Sequence, residues 1–376
     1  MKEPLERIEI PGEEAARERT RNVVRAAFAE REPVAPPSHL PRVAALAAAL
    51  AVLLAAASSP PGRAVLGELR EAVGVKRAQP ALFSLPAPGR LLVASDAGVW
   101  VVQDDGSKRL LGPYREAGWS PFGRFVVAAH ENELVALEPD GDVRWTLARP
   151  GVRSPRWAGT ETDTRIAYVD RTGVRVVAGD GTGDRLLVRG VRGPIAWRSG
   201  PPFVLAYASG RRVHVVDADT GRTIWREASR GAVTTLGWSS DGRRLMAMSA
   251  RGVVVYDSRG GIVYELGPGG DAVHAAALAP SGQRVAFVQA GRGRSQAWIV
   301  PRIRPDASAA RRVFAGSGRV AGLTWLGDEW VLLSWPTANQ LVFVRANGAG
   351  IRAVANVSEQ FRSRSFPRIE GWCCTP

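Results

Sequence analysis

Short runs in which apolar and polar residues alternate fill the chain from residue 80 onward. Two examples are Val-His-Val-Val-Asp at 213–217 and Arg-Val-Ala-Phe-Val at 284–288. This alternation indicates half-buried β-strands. Turn residues separate the runs, such as Asp-Gly at 105–106 and 180–181, which supplies the positive φ that tight hairpins require. The pattern therefore predicts an all-β domain over residues 80–376.

These predicted strands belong to a longer sequence repeat. Residues 116–141 (EAGWSPFGRFVVAAHENELVALEPDG) and 235–260 (TLGWSSDGRRLMAMSARGVVVYDSRG) share the frame Trp-Ser-x-x-Gly-Arg, two apolar strands and a Gly turn. The frame recurs at spacings of 34 to 47 residues, with its anchors at Leu85, Trp119, Trp157, Trp197, Trp238, Leu278 and Trp325. A period near 40 is typical of four-stranded propeller blades. One blade cannot bury both faces, whereas a ring of blades can. We therefore predict a seven-bladed β-propeller, with six or eight blades as alternatives.

The C-terminal residues restart the frame. Residues 367–374 (PRIEGWCC) place Trp372 47 residues after Trp325, and the chain then stops. A lone first strand at this point can complete the first blade, so we expect residues 369–374 to pair with residues 91–95. The repeated Trp is interpreted as packing between neighbouring blades, with an aromatic ligand box as the alternative.

The frame resembles a known family. Residues 116–141 and 235–260 are similar to the TolB-like, WD-repeat-like propeller repeat, whose hallmark is Trp-Ser-Pro-Asp-Gly before an apolar strand. The resemblance covers residues 80–376 and implies a propeller that acts as a binding platform. This chain departs from the hallmark at Phe122 and Ser240, and the sixth repeat has Leu278 in place of Trp.

A second resemblance points to an enzyme. Residues 215–227 (VVDADTGRTIWRE), and more loosely residues 136–147, look like the Asp-x-x-Thr-Gly-x-x-x-Trp motif of quinoprotein dehydrogenases. That family also uses a ring formed by adjacent cysteines, and Cys373 and Cys374 are adjacent. Only one repeat matches well, so a quinoprotein enzyme is the least favoured hypothesis. The two cysteines are expected to put one thiol on each face of a final strand, with an adjacent disulfide or a cross-link between chains as alternatives in an exported protein.

The N-terminal part divides into three segments. Residues 1–42 carry a helical pattern at 12–31 with one narrow apolar stripe, and residues 60–79 form a linker with a short amphipathic helix at 62–77. Residues 43–59 between them contain no charge and would span roughly 25 Å as a helix. We predict a transmembrane signal-anchor there, with a cytoplasmic N-terminus and an extracytoplasmic propeller. A cleaved signal peptide, giving a secreted protein, and a buried soluble helix are the alternatives.

The formal net charge is +14, and all of the excess lies beyond residue 42, almost entirely as arginine. An anionic partner is one interpretation. The favoured interpretation is that scattered arginines occupy solvated turns. Nucleic acid is not favoured as a partner, because the arginines form no basic stripe with interleaved aromatic residues.

No catalytic or cofactor-binding motif stands out. His39, His130, His214 and His274 lack metal-ligand spacing, and neither a nucleophile elbow nor a phosphate-binding loop is present. We therefore predict no catalytic residues, no metal and no cofactor. The first hypothesis is a membrane-anchored, non-catalytic binding or scaffold module for a protein or an anionic envelope polymer. The second is a transmembrane sensor whose residues 12–31 contact a regulatory partner, similar in layout to membrane-bound anti-sigma factors.

Overall fold

The described part of the chain is a ring of small antiparallel sheets. A computed structural model describes residues 84–267, 271–304 and 309–374. Within these ranges 28 strands form seven four-stranded sheets, which we call blades 1 to 7. The prediction of an all-β, seven-bladed propeller is therefore confirmed.

The first blade combines strands from both ends of the domain, and each later blade is a simple meander. Blade 1 contains β28 Arg368–Cys373, β1 Arg90–Ser95, β2 Gly98–Val102 and β3 Lys108–Gly112; blade 2 contains β4 Glu116–Trp119, β5 Val126–His130, β6 Glu133–Leu137 and β7 Val143–Ala148; blade 3 contains β8 Arg153–Gly159, β9 Thr164–Val169, β10 Gly173–Ala178 and β11 Arg185–Arg189; blade 4 contains β12 Ile195–Trp197, β13 Val204–Ser209, β14 Arg212–Asp217 and β15 Thr223–Ala228. Blade 5 contains β16 Val233–Trp238, β17 Arg244–Ser249, β18 Gly252–Asp257 and β19 Ile262–Leu266; blade 6 contains β20 Ala272–Leu278, β21 Val285–Gly291, β22 Arg294–Val300 and β23 Arg311–Ser317; blade 7 contains β24 Gly322–Leu326, β25 Trp330–Trp335, β26 Gln340–Arg345 and β27 Ile351–Val354.

The first strand of every blade lines the inside of the ring. Each of β4, β8, β12, β16, β20, β24 and β28 contacts the corresponding strand of both neighbouring blades. The circle is thus complete, and β28 supplies the link between blade 7 and blade 2. Closure leaves no inner strand without two neighbouring blades to pack against.

The predicted pairing of the last strand is confirmed. β28 lies antiparallel to β1, with Leu91 opposite Trp372 and Val93 opposite Ile369. The loop before β28 is also held in place, because the Asp96 carboxylate accepts hydrogen bonds from the Arg364 and Ser365 backbone N–H groups at 2.8 and 3.0 Å. These bonds and one from the Ser365 side chain lower the pKa of Asp96 to about 2.

The apolar core is divided among the blade interfaces. The buried residues form seven hydrophobic clusters, and each cluster takes its members from two adjacent blades. Tyr168 of blade 3, for example, packs with Leu134 of blade 2, and both are fully buried. The stability of the ring is therefore a sum over neighbouring interfaces, as in other repeat proteins.

One anchor was placed wrongly. The sequence frame put Leu85 at the anchor position of the first repeat, but Leu85 precedes β1 and lies on no strand. Trp372 of β28 occupies that position in blade 1, because the inner strand comes from the other end of the domain. Leu85 instead packs into the interface between blades 7 and 1 and is 7% exposed.

Helices are rare in the described part. It contains the short helix α1 Val357–Gln360 and two 3-10 turns, Pro121–Gly123 and Pro336–Ala338. Across residues 84–267, 271–304 and 309–374, no helix has both the length and the apolar character needed to cross a bilayer. The predicted helices at 12–31, 43–59 and 62–77 lie outside the described residues.

Candidate functional site

Apart from Leu85, the anchor residues of the sequence repeat, together with Trp372, all lie on the inner strands. Their positions are the ends, or near the ends, of β4, β8, β12, β16, β20, β24 and β28, and the residues are Trp119, Trp157, Trp197, Trp238, Leu278, Trp325 and Trp372. The structure therefore distributes them around the ring, one in each blade, and does not gather them into one aromatic box.

Two of these indoles bond to the preceding blade. Trp197 Nε1 donates to the Arg156 carbonyl oxygen at 3.0 Å, and Trp325 Nε1 donates to the Ala277 carbonyl oxygen at 3.0 Å. In each case the acceptor residue comes directly before the anchor of the preceding blade in the sequence: Arg156 before Trp157, and Ala277 before Leu278. By contrast, the Nε1 atom of Trp119 is buried with no hydrogen-bond partner among the described residues.

This difference predicts unequal costs for the same substitution. We expect Trp197→Phe to lower the free energy of unfolding by about 1 kcal/mol more than Trp119→Phe, because only the first removes a hydrogen bond. Urea unfolding of the two variants measures the difference. Equal losses in both would show that the indole bond contributes nothing beyond ring packing.

A second set of tryptophans, which belong to the two quinoprotein-like stretches of the sequence, joins the outer parts of the blades. Trp145 Nε1 donates to the Gly179 carbonyl oxygen at 3.0 Å, and Trp225 Nε1 donates to the Ser258 carbonyl oxygen at 3.1 Å. Both acceptors lie in the turn between the third and fourth strands of the next blade. A Cβ atom on Gly260, whose φ is +93°, would lie 3.1 Å from the Trp225 ring, so this close approach requires glycine.

The quinoprotein-like motif serves this docking. Asp217 Oδ1 accepts hydrogen bonds from the Thr220 backbone N–H and side chain, both at 2.8 Å, and so closes the turn before β15. β15 follows this turn and contains Trp225, which packs against blade 5. The motif residues therefore have a structural role in holding two blades together.

The adjacent cysteines lie beside blade 2. The Cys373 and Cys374 sulfur atoms are within bonding distance of each other. A Cβ atom on Gly123 would lie 3.1 Å from either sulfur, so the pair supports the loop between β4 and β5. The Gly123 carbonyl oxygen also accepts a hydrogen bond of 2.6 Å from Arg90. The disulfide itself remains a prediction.

One buried charge network crosses from blade 2 to blade 3. The Asp184 carboxylate, only 6% exposed, accepts hydrogen bonds from Arg149, Tyr168 and Arg175. Burial raises the pKa of Asp184, but the hydrogen bonds from Arg175, Tyr168 and Arg149 outweigh it, so the pKa lies below its ordinary value. Conversely, burial and then Asp184 raise the pKa of Tyr168. These groups satisfy one another, so we assign the network to blade packing.

A smaller charged group lies among the inner strands. Burial raises the pKa of the Glu370 carboxyl on β28, and the nearby Arg368 and Arg156 oppose that rise. Arg368 pairs with Glu370 at 3.1 Å, while Glu116 accepts a hydrogen bond from the Ser154 backbone N–H. Among the described residues, no group of three or more His, Cys, Asp or Glu side chains could hold a metal ion.

The histidines considered in the sequence as possible metal ligands lie in different places. His130 packs edge-on to Tyr114 with ring centroids 6.2 Å apart, and His214 stacks on Tyr207 at 4.8 Å. Burial, followed by Arg212 and Arg226, lowers the pKa of His214. His274 lies on β20, and His39 is outside the described residues.

The antiparallel meander sorts the loops onto two faces. Loops between the second and third strands, and those that lead to the next blade, lie on one face, which we call the basic face. Loops between the first and second strands, and between the third and fourth, lie on the opposite face, which we call the acidic face. The chain enters β1 from the acidic face at residues 84–89.

The charges on the two faces differ in sign. Described loops of the basic face hold eleven arginines, Arg115, Arg149, Arg171, Arg192, Arg211, Arg230, Arg251, Arg292, Arg319, Arg362 and Arg364. They hold five acids, Asp96, Glu131, Asp170, Asp271 and Glu359. The described loops of the acidic face hold eight arginines and thirteen acids. The acids are Asp104, Asp105, Glu138, Asp140, Asp142, Glu161, Asp163, Asp180, Asp184, Asp219, Asp241, Asp328 and Glu329. Many of the arginines occupy exposed turns, as the favoured interpretation expected, and the structure adds that the turns of one face hold more of them than the turns of the other.

A groove opens on the acidic face between blades 2 and 3. Its volume is about 350 Å³, and its walls include Phe122, Phe125, Trp157 and Arg144. Phe125 stacks on Trp157 with ring centroids 5.9 Å apart, and the Arg144 guanidinium lies 5.7 Å from the Phe125 ring centroid. Aromatic and arginine side chains of this kind dominate the binding energy of protein interfaces.

Charged side chains of both signs surround this aromatic wall. Glu161 and Asp180 line the groove, and Asp140 and Asp142 lie in the next loop of the same face. Glu138 pairs with Arg144 at 3.1 Å. The groove therefore offers an apolar surface lined by two acidic residues, Glu161 and Asp180, and by two basic residues, Arg124 and Arg144, of which Arg144 pairs with Glu138.

Phe122 at the edge of the groove has an unusual conformation. Its φ is 63°, and its side chain is 59% exposed. In blade 5 the matching residue is Asp241, which accepts hydrogen bonds from the Ser239 side chain at 2.5 Å and from the Arg243 backbone N–H at 3.0 Å. Phenylalanine can accept neither bond, so this turn gives up both and places an aromatic side chain in solvent.

Comparison with known proteins identifies the fold alone. No family model matches the chain, and no curated protein matches its sequence. Among solved structures, a chain in the crystal structure of the mitotic checkpoint complex is 19% identical, with a TM-score of 0.50, over 63% of this chain and 75% of that chain. The Cps50 (Swd1) beta-propeller domain of Myceliophteria thermophila is 14% identical, with a TM-score of 0.53, over 71% of this chain and 93% of that chain. The β-propeller fold expected from the sequence is therefore confirmed, and the TolB-like, WD-repeat-like assignment stays a prediction.

Proposed function

We propose that this protein is a non-catalytic binding module whose groove between blades 2 and 3 receives an apolar side chain of a protein partner. The observation that carries the proposal is Phe122. An exposed aromatic residue replaces the aspartate that closes the matching turn of blade 5. A solvent-exposed residue that makes its own turn less stable is typical of a functional surface.

The chemistry of the groove specifies the partner segment. The stacked rings of Phe125 and Trp157 favour an aromatic or large aliphatic side chain. The rim acids Glu161 and Asp180 favour lysine or arginine beside it. The partner segment is therefore an apolar residue flanked by basic residues.

The finer proposal concerns location. The uncharged stretch at 43–59 supports a membrane tether, with the N-terminus in the cytoplasm and the propeller outside it. Protease treatment of intact cells, followed by detection of both ends of the chain, tests this arrangement. Protection of the propeller from protease would contradict it, and recovery of a soluble chain that lacks residues 1–57 would indicate secretion.

Substitution of Phe122 tests the groove. We expect Phe122→Asp to raise the free energy of unfolding by about 1–2 kcal/mol, because aspartate tolerates this backbone and restores the turn hydrogen bonds. The same substitution should remove binding of peptides that carry one Trp, Phe or Leu between lysines. Fluorescence anisotropy with the full-length chain measures binding, and thermal unfolding measures stability.

The matched control is Ile262→Asp. Ile262 is 57% exposed, close to the 59% of Phe122, and does not line the groove. We expect this control to leave peptide binding unchanged. Equal peptide binding by the wild type and Phe122→Asp would overturn the proposed function.

A further inference from the structure

The most regular feature of the basic face is an arc of arginines. The turns between the second and third strands of blades 3 to 6 carry Arg171, Arg211, Arg251 and Arg292, one in each blade. All four side chains are exposed. In blades 1 and 2 the same turns carry Asp96 and Glu131 instead. We call the four arginines the arginine arc.

Carboxylates do not neutralise the arc. Arg211 donates to the Ser229 carbonyl oxygen at 3.3 Å and Arg251 to the Arg230 carbonyl oxygen at 3.5 Å, so their described bonds go to neutral backbone groups. Within the described ranges, none of the four arc residues has an ion pair with an acidic side chain.

Neighbouring arginines extend the same surface. Arg192 donates to the Arg171 carbonyl oxygen at 3.3 Å, and Arg153 donates to the Arg192 carbonyl oxygen at 3.2 Å. This places three guanidinium-bearing residues together where blades 3 and 4 meet. Arg230 is the exception on this side, because it pairs with Glu265. Among the described residues, the arc therefore presents several guanidinium groups that form no ion pair with a carboxylate, and the Asp271 carboxylate lies beside Gly291, next to Arg292.

We propose that the arginine arc binds an extended acidic polypeptide segment. Guanidinium groups pair with carboxylates through two parallel hydrogen bonds, and a surface of one sign attracts a partner of the other sign. This surface lies on the face opposite the groove, so the proposal does not depend on the proposed function. A propeller with both surfaces would bind two different segments at once.

Other anionic partners fit the surface less well. Single-stranded nucleic acid needs aromatic side chains on which bases stack, and the described basic-face loops of blades 3 to 6 contain none. A lipid surface needs apolar side chains to insert. In the described part of the chain the exposed large hydrophobic residues all lie outside the loops of this face; they are Leu110, Phe122, Val143, Ile224 and Ile262.

The test uses the full-length chain and a labelled oligoglutamate peptide. We expect the combined substitution of Arg171, Arg211, Arg251 and Arg292 to Gln to weaken binding of this peptide roughly tenfold or more, as several exposed charge pairs are lost together. The salt dependence of binding should also become shallower. A matched variant replaces Arg222, Arg226, Arg243 and Arg259, which are also exposed but lie outside the basic-face loops, and it should change binding less than about twofold.

Three outcomes overturn the proposal. The first is equally weakened oligoglutamate binding in the two quadruple variants, which would show that binding depends on net charge alone. The second is tighter binding of polyphosphate or of a single-stranded oligonucleotide of matched charge than of oligoglutamate. The third is salt-dependent self-association that the arc variant abolishes, which would make a second copy the occupant. The Phe122→Asp variant should bind oligoglutamate normally, so failure of one proposal leaves the other standing.

Discussion

Truncation of the chain after Pro367 is expected to abolish cooperative folding of the propeller. The truncation removes β28, which pairs with β1 and contacts the inner strands of blades 2 and 7. Blade 1 would lose its inner strand, and β1 would become an unpaired edge. Two blade interfaces open together, so the expected loss in the free energy of unfolding is comparable with the total stability of a domain, about 5–15 kcal/mol. Near-ultraviolet circular dichroism during thermal unfolding measures the effect.

A peptide that spans residues 368–376 provides the control for this truncation. Added in trans, it should restore the unfolding transition, because it resupplies the pairing of Leu91 with Trp372. The same peptide with Trp372→Ala should restore it poorly, since Trp372 packs into the interface between blades 7 and 1. A truncated chain that unfolds at the same temperature as the full chain would show that the ring does not need β28.

Substitution of Asp184 has the second largest expected effect. Asp184→Asn keeps the shape of the side chain but removes the charge that holds Arg149, Arg175 and Tyr168. We expect a loss of about 3 kcal/mol in the free energy of unfolding, near the lower end for breaking a buried ion pair, because solvent reaches both guanidinium groups. Equilibrium urea unfolding at neutral pH measures this loss.

The control for Asp184 is Asp163→Asn in the same blade. Asp163 is 56% exposed and pairs with Arg165, so its loss should cost less than about 1 kcal/mol. The effect of pH separates the two further. Because the folded pKa of Asp184 is lowered, its stabilisation is complete above the unfolded pKa of about 3.9 and is lost as pH falls through the folded pKa. The difference between the wild type and Asp184→Asn should therefore shrink below about pH 4; a difference independent of pH there would contradict the assignment.

The two candidate surfaces lie on opposite faces of one ring. The groove is formed by loops of blades 2 and 3 on the acidic face, whereas the arginine arc follows blades 3 to 6 on the basic face. Their opposite charge means that they select different segments. Taken together, the two proposals would make the propeller a module that joins two partners.

The repeat frame was enough to predict the fold. Trp119 and Trp238 each precede a Gly turn and two apolar strands, and this pattern of strands recurs with a period that is typical of propeller blades. Pairing of the final strand also followed, because Trp372 restarts the frame. The placement of Leu85 failed because Gly89 and Arg90 copy the Gly-Arg end of the frame, whereas the inner strand of blade 1 is β28.

The candidate surfaces could be predicted only in part. The departure of Phe122 from the hallmark was visible in the sequence, but its exposure and its neighbours Phe125, Trp157 and Arg144 were not. Those residues come from two blades, and the sequence contains no information on how adjacent blades are aligned in height and rotation. Packing between the blades decides which side chains share one groove.

The chain's own pattern of strands, turns and tryptophans determined a closed propeller, because each of those signals acts between residues close in sequence. Only the tertiary structure decided where the charge lies. Successive turns of a meander alternate between the two faces, so arginines forty residues apart, such as Arg171, Arg211 and Arg251, come together on one face. Electrostatic attraction depends on distance in space, and that distance exists only after the ring has closed.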